Sequence, residues 1–560
     1  MNKKVLYFAL GVAIMGTTSC SKKLGDFQSN YFNTTPTPLE TVGQNVPATI
    51  TGNIPAKFMV KNAKVTATPV LEYSGGATQG TPVVLQGENV RANGQVVSYN
   101  NGGTVQIPFN TEYKPEMAES NLYLDFQVDQ NGKLYSLPRV KVGDGVIATS
   151  TLANASTVQA AIAKDNFERI INEKYTADIR FLINQAIIRN NQITAADYVD
   201  LNQQLRDANA AINKEIAGVT IHSYASPDGT LAFNTELAER REKVTEQFMA
   251  NQLKKDKITE FGELTATFTP EDWEGFQELV SKSNIQDKDL ILGVLKMYKD
   301  PEQREREIRN LSGVFNELAD QILPQLRYSK IMASINVIGK SDQELIEVFN
   351  TNPTSLSEDE ILYVATLTED YNRKKEIYAK AGQVYPNSAR AMNNLGMAEY
   401  ELGNYAAAKS AFEKAKRLDP SLKSTDMNLG LLELLDGNYS KANELLGSAA
   451  GVPEAADALG VYYLTQGEVA KANNAFGNSK TNNAALAKLL SKDYSAAQSI
   501  LSAVPNPDAT TYYMAALVSA RTNNENGVLS NLRKAISMDS SMLQKAQNDL
   551  EFAQFNLNSL

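Results

Sequence analysis

Cysteine and histidine occur once each in this 560-residue chain, as Cys20 and His222. A single thiol permits no intrachain disulfide and no cysteine-built metal site. A single imidazole rules out His-Glu-x-x-His zinc chemistry, and Ser-His-Asp or Cys-His catalysis would have to run through His222 alone. That residue lies in "AGVTIHSYA", on the side opposite Val219, Ile221, Ser223 and Ala225, and reads as a structural or surface histidine, not a ligand. Paired carboxylates can still act as acid and base, but no Asp/Glu pair stands apart from the charged helix faces. The expectation is a non-enzyme with no catalytic residue, no metal site and no cofactor.

Basic clusters are missing as well. With a net charge of −10 and no Lys/Arg face, a phosphate backbone finds no complement, which argues against nucleic acid as a partner. Hydrophobic residues at 42% and charged residues at 21% support folded cores, not disorder, and the length spreads them over several domains. The apolar run that stands out is "VLYFALGVAIMG", preceded by Lys3 and Lys4 and followed by "TTSC". It is too short for a permanent span and reads as an export signal. It resembles a bacterial lipoprotein signal, with Thr18 and Ser19 as the small residues before the cysteine. That resemblance implies removal of residues 1–19 and lipidation of Cys20. Acyl chains such as palmitate would then anchor the protein, each buried methylene contributing about 0.8 kcal/mol. The plain alternative is a secretory peptide with an incidental cysteine. No acidic run follows in "SKKLGDFQ", so the periplasmic side of the outer membrane is preferred over the cell surface.

Residues 20–45 are polar, carry Pro36 and Pro38, and read as a lipidated tether. Over 46–148 the period becomes two in "KVTATPVLEY", "TVQIPFNTEY" and "NLYLDFQV", with Asn93-Gly94, Asn101-Gly102 and Asn131-Gly132 as turns. An immunoglobulin-like β-sandwich is expected there. From 152 the pattern turns helical and then alternates. A strand is expected at "TADIRFLI" and a helix at "TAADYVDLNQQLRDANAAI", opened by a Thr194–Asp197 capping box. A further helix, "FTPEDWEGFQELV", would be capped by Thr269, with Pro270 first and Asp272 closing the box. Amphipathic helices at about 254–326 precede a last strand, "YSKIMASINVIG". The implied unit is an α+β domain over 160–345 with a helical insertion.

From 355 to 545 the chain repeats itself. Gly396 and Gly430 stand 34 residues apart, as do Gly403 and Gly437, Tyr405 and Tyr439, and Ala408 and Ala442. The register then shortens through Gly460, Gly467 and Phe476. This pattern resembles the tetratricopeptide repeat (TPR), which implies an all-α solenoid of five or six helix pairs. Its groove would receive extended segments of partner proteins.

The stretch "YASPDGTLAFNTELAERREKV" joins a strand, a tight turn and a helix. Asn234, Leu237 and Arg241 fall on one helix face. These residues resemble the OmpA-like peptidoglycan-binding domain, in which a turn Asp receives an ammonium of the wall peptide and a helix Arg fixes its carboxylate with a planar fork. The helical insertion is similar to one in OmpA-like proteins of the Bacteroidetes group. Ser226 occupies the family's Asp position, with Asp228 two residues on, so the implied contacts are Ser226, Asp228, Asn234 and Arg241. The rival reading has Asp228 capping the helix and Arg241 paired with a glutamate on a solvated face. Three functions follow in order: an outer-membrane lipoprotein scaffold that docks envelope proteins through its repeats and touches peptidoglycan; a dedicated peptidoglycan anchor; and, remotely, a cell-wall or glycan-active enzyme.

Overall fold

Alternation puts Val65, Ala67 and Leu71 of Ala63–Tyr73, and Leu122, Leu124, Phe126 and Val128 of Ser120–Gln130, on one buried face. In the computed structural model these strands are neighbours in a six-stranded sheet. Its order is Lys133–Asp144, Ser120–Gln130, Ala63–Tyr73, Val83–Gly87, Gln95–Val97, with Gly76–Gln79 paired to Ala63–Tyr73. A three-stranded sheet of Phe32–Thr35, Ala48–Ile54 and Gly103–Phe109 shares its core through Ile50, Val105 and Ile107. Asn131 and Gly132 take φ of 53° and 80°, the left-handed pair that a two-residue hairpin turn needs. Val83–Gly87 runs parallel to Gln95–Val97, and Val146–Ile147 parallel to Leu39–Glu40. The region is therefore β-rich with mixed pairing, a departure from the all-antiparallel immunoglobulin pattern.

The structure describes residues 23–560 apart from 286, 287 and 311, so the export signal and Cys20 lie outside the described residues. The expected tether is folded from Leu24 onward. Leu24 and Phe27 are buried, and Phe27 stacks on Phe126 at 4.3 Å. Two apolar anchors outweigh the proline-marked polarity of that stretch, since burying each contributes roughly 1.5–3 kcal/mol. Among the described residues two compact units result: residues 23–164 join Thr368–Leu560, and Asp165–Leu367 stands as a second.

The second unit is a four-stranded sheet in the order Ile170–Arg180, Tyr328–Ile338, Lys214–Tyr224, Glu263–Thr269. Helices Ala196–Ala210 and Leu231–Lys255 cover it, burying Tyr198, Leu201, Leu205, Met249 and Leu253 against Ile216, Val219, Ile221 and Ile331. The insertion expected at 254–326 is narrower. Glu263–Thr269 is a strand parallel to Lys214–Tyr224, and four helices then run from Trp273 to Gln321 around Phe276, Val280, Ile291 and Ile308. Two expected caps move accordingly. Thr269 ends the strand, and Asp272 is the N-cap, accepting from Gly275 N at 2.8 Å. The Thr194–Asp197 box does not form: Ala195 is the N-cap, and Asp197 accepts from Asp178 N at 3.2 Å.

In the first unit, five helix pairs follow Tyr371–Val384. They are Ala389–Glu401 with Tyr405–Leu418, Lys423–Leu435 with Tyr439–Ser448, Ala455–Thr465 with Val469–Phe476, Asn482–Leu490 with Tyr494–Leu501, and Ala509–Arg521 with Glu525–Met538. Small residues make the pairs close. A Cβ on Gly396 or on Gly460 would come within 2.5 Å of the rings of Phe412 and Phe476 respectively. The first helix of each pair ends in a left-handed residue: Gly403, Gly437 and Gly467, then Lys492 and Asn523. Each end closes alike, as where Asn404 N donates to Glu399 O at 2.8 Å and Asp493 N to Lys488 O at 2.9 Å.

Candidate functional site

The first helices of the pairs line a groove, and the groove holds residues 153–164 of the chain itself. The residues from 152 were expected to be helical. They run extended apart from a single turn at Ala155–Thr157, with Val158, Ala160, Ala161 and Ala163 buried. Asn394 Oδ1 accepts from Ala163 N at 2.7 Å, and its Nδ2 donates to Ala163 O at 2.9 Å. Asn428 grips Ala161 the same way, at 2.6 and 2.8 Å, and Asn483 grips Asn154, at 2.9 and 2.8 Å. A carboxamide is the one neutral side-chain group pairing a donor and an acceptor at the spacing of a residue's own C=O and N–H. Each clamp therefore reads main chain, like one rung of a sheet.

Supporting contacts order the clamps. Asn393 Nδ2 donates to Ala161 O at 3.1 Å, and its Oδ1 accepts from Asn428 Nδ2 at 3.1 Å and Thr425 Oγ1 at 3.2 Å. Tyr400 OH donates to Val158 O at 3.2 Å, and Glu401 Oε1 accepts from Ala160 N at 3.0 Å. Burial raises the Glu401 carboxyl above the ordinary value, and the Ala160 N–H only partly offsets this. Each neutral hydrogen bond contributes roughly 0.5–1.5 kcal/mol net, whereas leaving a buried carboxamide group unpaired costs about 1–3 kcal/mol.

The clamps occupy a single repeat position. Asn394, Asn428 and Asn483 each stand nine residues before the left-handed turn residue, Gly403, Gly437 and Lys492 in turn. Ala458 and Met514 take that position in the other two pairs. Sequence reasoning missed these asparagines, although the recurrence at Asn394 and Asn428 uses the same 34-residue spacing as the glycines. Beyond the clamps, Glu551 accepts from Thr149 Oγ1 at 2.6 Å and pairs with Arg521 at 2.7 Å, tying the β-rich region to the last helix pair.

In the second unit the turn residues come together with a partner that sequence reasoning did not name. Ser226 Oγ donates to Asp228 Oδ1 at 2.6 Å. Arg327 donates to Ser226 Oγ at 3.0 Å and to Asp228 Oδ2 at 2.9 Å. Asn234 donates to Gly229 O at 3.0 Å and to Glu271 Oε1 at 2.9 Å, while Trp273 Nε1 donates to Glu271 Oε2 at 2.9 Å. Arg241 is wholly buried. Its guanidinium donates to Tyr224 O at 2.8 Å, Gln185 O at 3.0 Å and Leu182 O at 3.3 Å, over the ring of Phe181. Burial, with Arg327 nearby, lowers its pKa to about 10. The solvated-face reading fails on both counts: the helix is capped by Thr230, and Arg241 pairs with carbonyls, not a glutamate. His222 is half-buried, with Nδ1 and Nε2 each 2.7 Å from a hydroxyl, of Thr267 and Thr269.

Residues 389–422, the first complete helix pair, match the tetratricopeptide repeat family model. No curated protein matches the chain. Among solved structures, a tetratricopeptide repeat protein from Parabacteroides merdae is 14% identical with a TM-score of 0.29, over 37% of this chain and 91% of that one. The pilF protein of Pseudomonas aeruginosa is 15% identical with a TM-score of 0.30, over 37% and 99%. The Cut9–Hcn1 hetero-tetramer is 19% identical with a TM-score of 0.33, over 37% of this chain and 45% of that chain, so less than half of that relative's length is spanned. The C-terminal region is thus a tetratricopeptide-type solenoid, matched over one helix pair and continued by four more built alike.

Proposed function

We propose that this chain is a non-catalytic scaffold of the outer membrane, anchored through Cys20 on the periplasmic side, that organises envelope proteins around its repeats. The observation that carries the reading is the row of carboxamides at one repeat position, which holds extended polypeptide by its main chain. Such a surface works by binding. The test is crosslinking in native envelopes from the exposed repeat residues Tyr405 and Met538, with mass identification of the products. Recurrent envelope proteins are expected. An absence of recurrent products, or turnover of wall glycan by the purified protein, overturns the reading.

A second reading, anchoring to peptidoglycan through an OmpA-like domain, is favoured by Asp228, held at the strand–helix turn beside Ser226 and Arg327. It requires co-sedimentation with purified peptidoglycan that weakens in Asp228→Asn. If both proteins stay in the supernatant, the turn serves only the fold.

A further inference from the structure

We infer that residues 153–164 are an exchangeable latch, holding the groove in place of a partner's segment, and that the partner segment is extended, small at the inward positions and without an acidic residue opposite Glu401. This deepens the scaffold reading and rests on it. Two observations point the same way. Every inward side chain of the latch is small or β-branched, namely Val158, Ala160, Ala161 and Ala163, while Gln159 and Ile162 face outward and are exposed. At 158–163 the groove's hydrogen bonds go to main-chain N–H or C=O, while Thr157 Oγ1 accepts from Asn483 Nδ2 at 3.0 Å. A competing segment with small residues in that spacing would therefore satisfy Asn394 and Asn428 equally.

The solenoid also has a core of its own. Phe412, Leu446 and Phe476 pack within the helix pairs against Gly396, Gly430 and Gly460, apart from the latch. Departure of the latch opens the groove to water, which can bond the freed carboxamides, and leaves those contacts in place. Charge sets the partner's character. Glu401 faces Ala160 N from the groove wall, so an acidic residue at that point of the incoming segment is disfavoured.

The experiment uses the full chain carrying Ala161→Arg, which cannot seat in a fully buried position, and a labelled synthetic peptide of residues 152–165. Saturable peptide binding by the variant is expected, weakened about tenfold or more when Asn394→Ala and Asn428→Ala are added. A folded variant that binds no peptide makes the segment a permanent seam and overturns the proposal. A dimer by light scattering that excludes the peptide overturns it too, by assigning the groove to a second copy. Should the variant not fold, hydrogen exchange of the unaltered chain decides. Amides of Ala160, Ala161 and Ala163 should exchange well ahead of those in Met427–Leu434, and equal rates refute an opening latch. Recurrent envelope crosslinks alongside a failed peptide assay would sink the latch and spare the scaffold.

Discussion

Arg241 and Glu433 show how individual charges are used. Arg241 is buried against three carbonyls, a role for which its planar fork of donors is suited and a lysine's single ammonium is not. Arg241→Lys is expected to lower unfolding free energy by about 2–4 kcal/mol, since bonds to a charged donor are worth roughly 1.5–3 kcal/mol each; urea denaturation measures it. Glu433, buried, accepts from Lys441 at 2.9 Å, Asn438 at 2.8 Å and Lys409 at 3.3 Å. The Lys441 contact leads in holding its carboxyl at about 2, below the ordinary 4.5. A depressed acid stabilises the fold above its unfolded value, and that contribution disappears as pH falls from 4.5 towards 2. Glu433→Gln should therefore melt lower than the parent at pH 7, and the two curves should converge near pH 2.

Among the elements, the repeats were legible because close helix pairs leave a mark: glycine where the Phe412 and Phe476 rings press, and glycine at three of the five left-handed turns, Gly403, Gly437 and Gly467. The same logic predicts two opposite outcomes. Gly396→Ala places a methyl 2.5 Å from the Phe412 ring and should cost about 1–3 kcal/mol by thermal melting. Lys492 holds φ of 64° without a glycine's freedom, so Lys492→Gly should raise stability by about 1 kcal/mol. Strands with clear alternation, such as Tyr328–Ile338 and the first half of Ala63–Tyr73, were equally readable. Glu263–Thr269 was not, because its burial is only partial and a helical neighbourhood hid it. Residues 153–164 misled for a different reason. Alanine favours helix locally, but the partners of Ala161 and Ala163 lie 267 and 231 residues away. Local propensity loses to tertiary hydrogen bonds that no short window contains. At the turn, Asp228 was named from the strand–turn–helix stretch and Ser226 from the resemblance to the OmpA-like domain, whereas their partner Arg327, 99 residues from Asp228, arrives with the delayed last strand.

For the whole molecule, the first unit is one chain folded back upon itself. Its β-rich region and its solenoid are joined by Glu551 between Thr149 and Arg521, and by the segment lying in the groove. Holding polypeptide is thus something the solenoid already does within the chain, and the proposed docking of partners asks for no new chemistry. The central claim is that carboxamides at the repeat position hold that segment. Amide hydrogen exchange at Ala161 and Ala163, compared between the parent and an Asn394→Ala, Asn428→Ala double variant, tests it most directly. Protection at those two amides should fall sharply while the amides of Met427–Leu434 stay protected. Unchanged protection at Ala161 and Ala163 would contradict the account.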